Sequence, residues 1–257
     1  MKLAVVGNPI SHSKSPYIFH LLFDAVNLEY SYERLLLNSA DEIPSLFKNG
    51  YAGINITAPF KQSVIPFLDS LSDDAKRIGS VNTVILKDKK LIGYNTDYLG
   101  VIHSFENFGI NLIDKKCLIL GAGGAARAAI YGMKLRNSKI QLYNRNNDKA
   151  NKLAKEFDIE VITEQELQNA VSNADILIDT LPAGIQLIKS EYLHSGLTIL
   201  DASYPKSVYI EDADYQLIVG ENWLLNQALP AFEIFTGIKF NNKDFDQKSL
   251  LDLLLKQ

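Results

Sequence analysis

Four short motifs contain residue types that can bind a small anion, move a proton and hold a dinucleotide. A serine-rich loop occupies residues 7–16, Lys61 follows a turn, Asp97 follows an Asn-Thr pair, and a glycine turn occupies residues 121–125. Hydroxyls and amides before a helix can bind an anion, a lysine and an aspartate can exchange a proton, and a glycine turn can approach a pyrophosphate. Together the motifs predict hydride transfer to or from a small polar acid.

Lys61 and Asp97 are the candidate acid–base pair. A secondary alcohol loses hydride only if its hydroxyl proton also leaves, so a proton-exchanging group must stand beside that oxygen. Lys61 comes just after a predicted strand, where open α/β sheets bind their ligands. Taken alone, Lys61 could be a surface lysine and Asp97 a helix N-terminal acid. As a set they predict that Asp97 positions Lys61 and accepts a bond from a substrate hydroxyl, with the two groups titrating as a pair.

The serine loop is a candidate anion site. Ser13 and Ser15 flank Lys14 just before a predicted helix, where hydroxyls and unpaired backbone amides can bind a carboxylate. Ser15 followed by Pro16 also fits a simple N-cap with a first-turn proline. The interpretation of the loop as an anion site, rather than as a simple N-cap, depends on the other motifs.

The glycine turn has the context of a Rossmann dinucleotide site. A strand predicted to end at Leu120 runs into it, and an alanine-rich helix follows. Glycines allow the tight turn and a close approach of the backbone to a pyrophosphate, which the helix N-terminus favours. The candidate residues are Gly121, Ala122, Gly123, Gly124 and Ala125. The alternative is a glycine-rich loop that packs only against itself.

The end of the next predicted strand favours NADP over NAD. NAD enzymes usually place an acidic residue there, whereas this chain has Asn144 and Arg145, with Lys149 a few residues further on. A guanidinium attracts a 2′-phosphate. Alternatively, Arg145 and Lys149 are only the solvated start of a helix.

The composition is that of a globular protein without a strong charge. The 257 residues carry 26 basic and 30 acidic side chains, which gives no reason to expect nucleic acid or an anionic membrane surface as a partner. The amino-terminal apolar run is too short for a signal peptide, and Cys117 lies in a run typical of a buried strand. The four histidines lack paired ligand spacing, so no metal is expected: His12, His20, His103 and His194. We expect a cytoplasmic protein.

Short apolar runs alternate with segments of helical period, which is typical of βαβ units around a mostly parallel sheet. Strands are predicted at Leu3–Val6, Tyr30–Leu36, Ala52–Ile56, Val81–Leu86, Leu91–Tyr94, Lys116–Leu120, Ile140–Tyr143, Ile176–Ile178, Thr198–Leu200 and Gln216–Val219. Helices are predicted after Ser15-Pro16, from Asp97 towards Gly109, at Ala125–Leu135 and from Asn222 onward, with Leu250, Leu251 and Leu254 facing the core.

The motif blocks resemble the signature blocks of the shikimate dehydrogenase family. The similar blocks, in the family's order, are residues 7–16, 55–61, 81–83 and 93–97, followed by the glycine turn and the Asn-Arg pair. The resemblance implies an α/β protein with an amino-terminal substrate domain around a mostly parallel sheet, a Rossmann-type dinucleotide-binding domain and a cleft between them. The implied domains are residues 1–98, completed by helices in 224–257, and residues 99–223 for NADP.

The resemblance also implies an activity and residue roles. The implied enzyme reduces 3-dehydroshikimate to shikimate with NADPH, in the shikimate pathway of aromatic amino-acid biosynthesis. Lys61 and Asp97 are its implied catalytic residues. The implied substrate-binding residues are Ser13, Ser15, Thr57, Asn82, Asp97, Tyr204 and Gln227. The implied cofactor-binding residues are Gly121, Ala122, Gly123, Gly124, Ala125, Asn144, Arg145, Lys149, Ala202 and Gly220.

Three segments depart from the family pattern. Asp179-Thr180-Leu181 stands where the family has Asn-Ala-Thr, and Asn222-Trp223 stands where it usually has glycine and methionine. The segment after Tyr204 is shortened. These changes fall where the resemblance implies the nicotinamide half of the cofactor.

Three alternative functions stay open on the sequence. A quinate/shikimate type would accept quinate and often NAD, which Arg145 disfavours. The methylenetetrahydrofolate dehydrogenase architecture also joins a lysine-bearing domain to a Rossmann unit, but it would not explain the serine loop. A non-catalytic NADP- or metabolite-binding module would not need the Lys61–Asp97 pair. The expected partner is a small-molecule substrate, and the chain would be a monomer or a homodimer.

Overall fold

The computed structural model describes residues 1–210, 214–239 and 247–256. The chain divides into two compact units. The first unit comprises Met1–Asp97 and Leu224–Gln257, and the second comprises Tyr98–Trp223.

Each unit contains a sheet that has six strands among the described residues. The strands of the first unit are β1 (Lys2–Gly7), β2 (Ser31–Leu36), β3 (Tyr51–Ile56), β4 (Ser70–Leu71), β5 (Thr83–Lys87) and β6 (Lys90–Tyr94). Those of the second unit are β7 (Lys116–Leu120), β8 (Lys139–Tyr143), β9 (Glu160–Val161), β10 (Ile176–Asp179), β11 (Thr198–Asp201) and β12 (Gln216–Ile218).

The helices surround these strands in the chain order expected of an α/β protein. They are α1 (Ser15–Ala25), α2 (Ile43–Lys48), α3 (Phe60–Ser63), α4 (Asp73–Ile78), α5 (Asp97–Asn107), α6 (Gly124–Leu135), α7 (Asn147–Phe157), α8 (Leu167–Ser172), α9 (Gly220–Thr236) and α10 (Gln247–Leu255). No helix within the described ranges is long and apolar enough to cross a membrane.

The sheet of the first unit is mixed, in the order β2-β1-β3-β5-β6-β4. β1 pairs in parallel with β2 and β3. β5 pairs antiparallel with β3 and also with β6, with which it forms the predicted hairpin. An apolar cluster on one side includes Phe19 of α1, Phe232 of α9, and Leu250 and Leu254 of α10. The predicted core role of the last two leucines is confirmed, since they are 4% and 0% exposed.

The sheet of the second unit is parallel throughout its described pairings, in the order β12-β11-β10-β7-β8-β9. This is the doubly wound order, in which the chain reverses direction across the sheet between β7 and β10. Cys117 is buried in β7, and burial raises the pKa of its thiol, so its predicted role as a core side chain is confirmed.

One local prediction is wrong. Ser15 is not the N-cap of α1 but its first residue, and Lys14 occupies the N-cap position. The predicted hairpin is confirmed, and its two strands account for the antiparallel pairing in an otherwise parallel sheet. The part of the predicted carboxy-terminal helix that falls on residues 240–246 lies outside the described residues.

Candidate active site

Lys61 and Asp97 form a direct ion pair in the first unit. Lys61 lies in α3, just beyond the carboxyl end of β3, and Asp97 is the first residue of α5. The Lys61 Nζ atom lies 2.6 Å from Asp97 Oδ2, and the two side chains are only 18% and 7% exposed. The structure therefore brings together the two residues that the sequence paired across 36 positions.

The Asp97 carboxylate is oriented through its second oxygen and its backbone. Asn82 Nδ2 donates to Asp97 Oδ1 over 3.0 Å, and the Asp97 amide donates to Asn95 Oδ1 over 3.0 Å. Asn95 is itself held because its side-chain amide donates to the Ser80 carbonyl oxygen. With both oxygens bonded, the carboxylate presents a fixed face to Lys61.

Asn82 is the centre of a buried polar network. Besides Asp97, its amide nitrogen reaches Thr96 Oγ1 at 2.8 Å and Gln227 Oε1 at 3.1 Å. An amide has two hydrogens, so these acceptors share them, and the Thr96 hydroxyl also reaches Gln227 Oε1 at 3.3 Å. The predicted substrate residues Asn82 and Gln227 are thus linked to the predicted catalytic pair.

A second row of polar side chains supports Asn82, and sequence reasoning gave these side chains no role. Tyr32 donates to Asn55 Oδ1 over 2.6 Å, Asn55 donates to Thr83 Oγ1, and Thr83 donates to Asn82 Oδ1. Asn55 and Thr83 are cross-strand partners in β3 and β5, and both are buried. The sequence does contain one indication of this role, because Asn55 stands in the otherwise apolar strand segment Ile54-Asn55-Ile56. A buried polar side chain needs hydrogen-bond partners, so it predicts a polar network nearby.

The part of the serine loop that carries Ser13 and Ser15 is buried and bonded along its backbone. Ser13 and Ser15 are 2% and 5% exposed, and the Ser15 amide donates to Ser13 Oγ over 3.3 Å. Arg34 Nε donates to the Ser13 carbonyl oxygen over 2.7 Å. The loop therefore holds both hydroxyls at the amino-terminal end of α1, as an anion site requires.

Thr57 is fixed at the carboxyl end of β3. Its amide donates to the Val6 carbonyl oxygen over 2.9 Å. A Cβ at Gly7 would stand 2.4 Å from Thr57 Cγ2, so only glycine lets β1 pass this close. The threonine side chain is half-buried there.

The glycine turn of the second unit has one closed side and one open side. Gly121 has a φ of +103°, and a Cβ there would lie 2.5 Å from Thr180 Oγ1. A Cβ at Gly123 would meet nothing within 4 Å. Gly123 is the N-cap of α6 and makes no side-chain capping bond, so the first amides of α6 can bind a pyrophosphate.

The predicted 2′-phosphate residues follow β8 and lie at the surface. Arg145 and Lys149 are exposed, and Asn144 donates to the Asn146 carbonyl oxygen over 2.9 Å. Asn146 caps α7 by accepting from the Lys149 amide over 2.9 Å. These cations are accessible to an anionic ligand, which fits the phosphate of NADP.

A buried acidic cluster lies at the carboxyl ends of β10 and β11. Tyr209 donates to Asp179 Oδ2 over 2.8 Å, and the Leu181 amide donates to Asp179 Oδ1 over 2.9 Å. Asp201, the register partner of Asp179, accepts from Ser207 Oγ over 2.6 Å. Burial raises the pKa of Asp179 to about 6, and the Asp201 carboxylate adds to the increase. Burial also raises the pKa of Tyr209.

Ala202 and Gly220 lie together beyond this cluster. The Ala202 amide donates to the Asp179 carbonyl oxygen over 2.8 Å. A Cβ at Gly220 would lie 2.4 Å from the Ser203 carbonyl oxygen and 3.0 Å from the Ala202 carbonyl carbon, so the close approach requires glycine. Tyr204, the remaining predicted residue, is half-buried in the segment that follows.

Among the side chains that the structure describes, no group of three or more His, Cys, Asp or Glu residues could hold a metal ion.

Two family models match this chain. One, described as the shikimate dehydrogenase substrate binding domain, matches residues 5–84. The other, described as shikimate / quinate 5-dehydrogenase, matches residues 104–216. The chain belongs to the shikimate dehydrogenase family.

Individual relatives cover nearly the whole chain. A shikimate dehydrogenase (NADP(+)) of Aquifex aeolicus is 33% identical in an alignment that covers 91% of this chain and 90% of the relative. The crystal structure of the Aquifex aeolicus enzyme superposes with a TM-score of 0.90 at 30% identity, covering 100% and 98% of the two chains. The Thermus thermophilus enzyme in complex with NADP(H) and shikimate gives a TM-score of 0.87 at 26% identity, covering 100% and 98%.

These comparisons confirm the predicted family and the oxidoreductase class, and with the two sheets they confirm the predicted α/β fold with a Rossmann-type unit. They do not favour the quinate-using or the non-catalytic alternative.

Proposed function

We propose that this protein is an NADP-dependent oxidoreductase that interconverts 3-dehydroshikimate and shikimate in aromatic amino-acid biosynthesis. The observation that carries the proposal is the Lys61–Asp97 pair, 2.6 Å apart and linked through Asn82 to Gln227. A binding module would need no half-buried amine held by an oriented carboxylate. The proposal includes a cytoplasmic location and a monomer or homodimer.

The first unit would bind the substrate acid. Ser13 and Ser15 would bond its carboxylate at the amino-terminal end of α1, where the helix dipole favours negative charge. Tyr204 would lie beside the same carboxylate. The hydroxyl groups of the ring would bond to Thr57, Asn82 and Gln227, and Asp97 would accept a bond from the ring hydroxyl nearest to Lys61.

The proton step would take place at the Lys61 Nζ atom. When shikimate is oxidised, the O–H bond of the reacting alcohol breaks and its proton passes to Lys61. The C–H bond on the same carbon breaks as well, its hydride leaves to the bound oxidised cofactor, and the oxygen becomes the carbonyl of the product. In reduction the same nitrogen returns the proton to the oxygen. Asp97 keeps the Lys61 side chain in place through the change of charge, because it bonds the same Nζ atom throughout.

The second unit would hold NADP, which supplies the acceptor or donor of the hydride. The amides after Gly123 would bond the pyrophosphate, and the turn is open on that side. Asn144, Arg145 and Lys149 would bind the ribose and its 2′-phosphate, where an NAD enzyme would carry a carboxylate. Ala202 and Gly220 would line the nicotinamide end.

A spectrophotometric assay at about 340 nm, with shikimate or quinate and with NADP or NAD, tests the proposal. We expect reduced cofactor to form fastest with shikimate and NADP. Equal or faster turnover of quinate with NAD would overturn the substrate and cofactor assignment. Binding of both ligands without turnover in any of the four combinations would instead favour a non-catalytic module.

Arg145→Ala separates the cofactor assignment from the substrate assignment. Loss of a charge-assisted phosphate contact should raise the KM for NADP about tenfold and leave the KM for NAD unchanged. Lys152→Ala, at an exposed position of α7, is the matched control. Equal changes in the KM for NADP and for NAD would mean that Arg145 does not contact the 2′-phosphate.

A further inference from the structure

The lysine between the two serines bonds to the far end of the chain. Lys14 is only 9% exposed, and its Nζ atom donates to the carbonyl oxygen of Leu254 over 3.1 Å, across 240 positions of sequence. Leu254 lies in the last turn of α10. The final carbonyls of a helix lack intrahelical partners and form the negative end of its dipole, so an ammonium group is a suitable partner for them.

The position of this carbonyl is set by packing of α10 against α1. Leu250 and Leu254 are 4% and 0% exposed and share an apolar cluster with Ile18, Phe19 and Leu22 of α1. The docking of α10 on α1 therefore determines where the carboxyl end of α10 contacts the serine loop.

The electrostatics of the loop favour such a contact. Lys14 is the N-cap of α1, so its positive charge belongs to a residue at the positive end of a helix, which is unfavourable. The carboxyl end of α10 supplies partial negative charge to that ammonium and leaves the amide end of α1 available to an anion. Arg34 holds the same loop from another element through the Ser13 carbonyl oxygen.

We infer that Lys14 is a positioning residue, and that its bond to α10 holds Ser13 and Ser15 in the arrangement that binds the substrate carboxylate. This inference rests on the proposed function of the serine loop. Because the loop is held before the substrate arrives, binding loses less conformational entropy. Affinity for the acid thus depends on a helix that itself supplies no predicted substrate contact.

Lys14→Met and Leu254→Asn break the contact from its two sides in the full-length protein. Leu254→Asn places a polar group at a position that is 0% exposed and should undock the end of α10. Each change should raise the KM for shikimate about tenfold or more, the equivalent of one bond to a charged group, and lower kcat less than about threefold. Lys14→Arg, which keeps a charged donor, should restore a KM near that of the wild type.

Two matched controls separate this effect from charge and from surface changes. Leu253→Asn alters the neighbouring position on the exposed side of α10, where the side chain is 42% exposed. Lys48→Met removes an exposed lysine of α2. Both controls should keep the KM for shikimate, and the Kd for NADPH should stay the same in every variant.

The double variant supplies the decisive readout. If the lysine and the helix act through one contact, Lys14→Met with Leu254→Asn should raise the KM no more than the larger single change. A wild-type KM in Lys14→Met, or a raised KM in Lys14→Met together with a normal KM in Leu254→Asn, would overturn the inference. Should Leu254→Asn fail to fold, the Lys14→Met and Lys14→Arg pair decides by the same KM criterion. Absence of shikimate oxidation in the wild type would instead reject the proposed function.

Discussion

The lysine–aspartate region of the first unit and the glycine-turn region of the second unit are built in opposite ways. Around Lys61 and Asp97 the polar side chains bond to one another and are mostly buried. At the glycine turn the amide end of α6 carries no side-chain cap, and Arg145 is exposed. The difference fits the proposed roles, in which groups that would move protons are fixed by the protein, whereas groups that would hold a charged cofactor are left open for the ligand to complete.

The same comparison explains how one departure from the family pattern, at Asp179 and Thr180, is tolerated. Thr180 lies on the closed side of the glycine turn and donates to the Leu120 carbonyl oxygen, and Asp179 accepts from Tyr209. Both polar side chains therefore have a partner within the second unit. They alter the surroundings of the proposed cofactor site while the amide end of α6 stays open.

Asp97→Asn tests the fixed region and should have the largest effect of the substitutions in this comparison. An asparagine has the same shape but no charge to hold the Lys61 ammonium, so kcat should fall about 10²–10³-fold. The Kd for shikimate should change only a few fold. Steady-state kinetics and equilibrium binding measure the two quantities.

The matched control for Asp97→Asn is Asp73→Asn, which alters an exposed lysine–aspartate pair. Asp73 Oδ1 and Lys76 Nζ lie 3.5 Å apart, and the two side chains are 90% and 60% exposed. Asp73→Asn should leave kcat unchanged, because exposed ion pairs contribute little. Similar losses of kcat in both variants would show that turnover does not depend on the buried environment of Asp97.

Gly123→Ala and Gly121→Ala test the open and closed sides of the glycine turn. At Gly123 a methyl group contacts no protein atom but stands where a pyrophosphate would approach, so the KM for NADP should rise about tenfold. The free energy of unfolding should fall by less than about 1 kcal/mol, because alanine is a weaker N-cap than glycine. At Gly121 the φ of +103° and the 2.5 Å approach to Thr180 Oγ1 predict a loss of about 1–3 kcal/mol in the free energy of unfolding. Kinetics and denaturant unfolding should give opposite rankings of the two variants. The same ranking in both measurements would contradict the assignment of the two sides.

Asp179→Asn should have the smallest effect on turnover and a distinct effect on stability. The native pKa of Asp179, about 6, lies above the value of about 3.9 for an unfolded aspartate. Between these values the native state binds more protons, so the free energy of unfolding contributed by this group falls as the pH rises. The asparagine variant should therefore show a flatter pH dependence from about pH 4 to 6 and should be more stable at pH 7 by about 1–3 kcal/mol.

Asp175→Asn is the control of opposite sign for Asp179→Asn. A bond from the Lys116 amide, with a smaller contribution from Lys115, lowers the pKa of Asp175, so the stability that this carboxylate provides is lost as the pH falls. Removing it should destabilise the protein at neutral pH. Urea unfolding at several pH values would contradict the account if both variants shifted stability in the same direction.

The sequence predicted best those features that depend on chain order and local pattern. The strands, the glycine turn and the hairpin of β5 and β6 follow from periodicity and turn residues. The approach of Lys61 to Asp97 follows from their positions at the ends of predicted elements near one sheet edge. In these cases the backbone pattern alone brings the side chains close.

Contacts set by cross-strand register and helix docking could not be predicted. The Tyr32–Asn55–Thr83 row depends on the register of β2 and β3 on the intervening β1 and of β5 on β3, and a shift of one residue would reverse every side chain of the shifted strand. The bond from Lys14 to Leu254 depends on where α10 docks on α1. The sequence pattern specifies neither the register of the strands nor the docking position of α10.

The most direct test of the central claim is the kcat and shikimate Kd of Lys61→Ala, with Lys76→Ala as the exposed-lysine control. If Lys61 transfers the proton, kcat should fall about 10²–10⁴-fold while the Kd changes less than about threefold. A kcat close to that of the wild type, accompanied by a large rise in the Kd, would show that Lys61 only binds the substrate and would contradict the proposed chemistry.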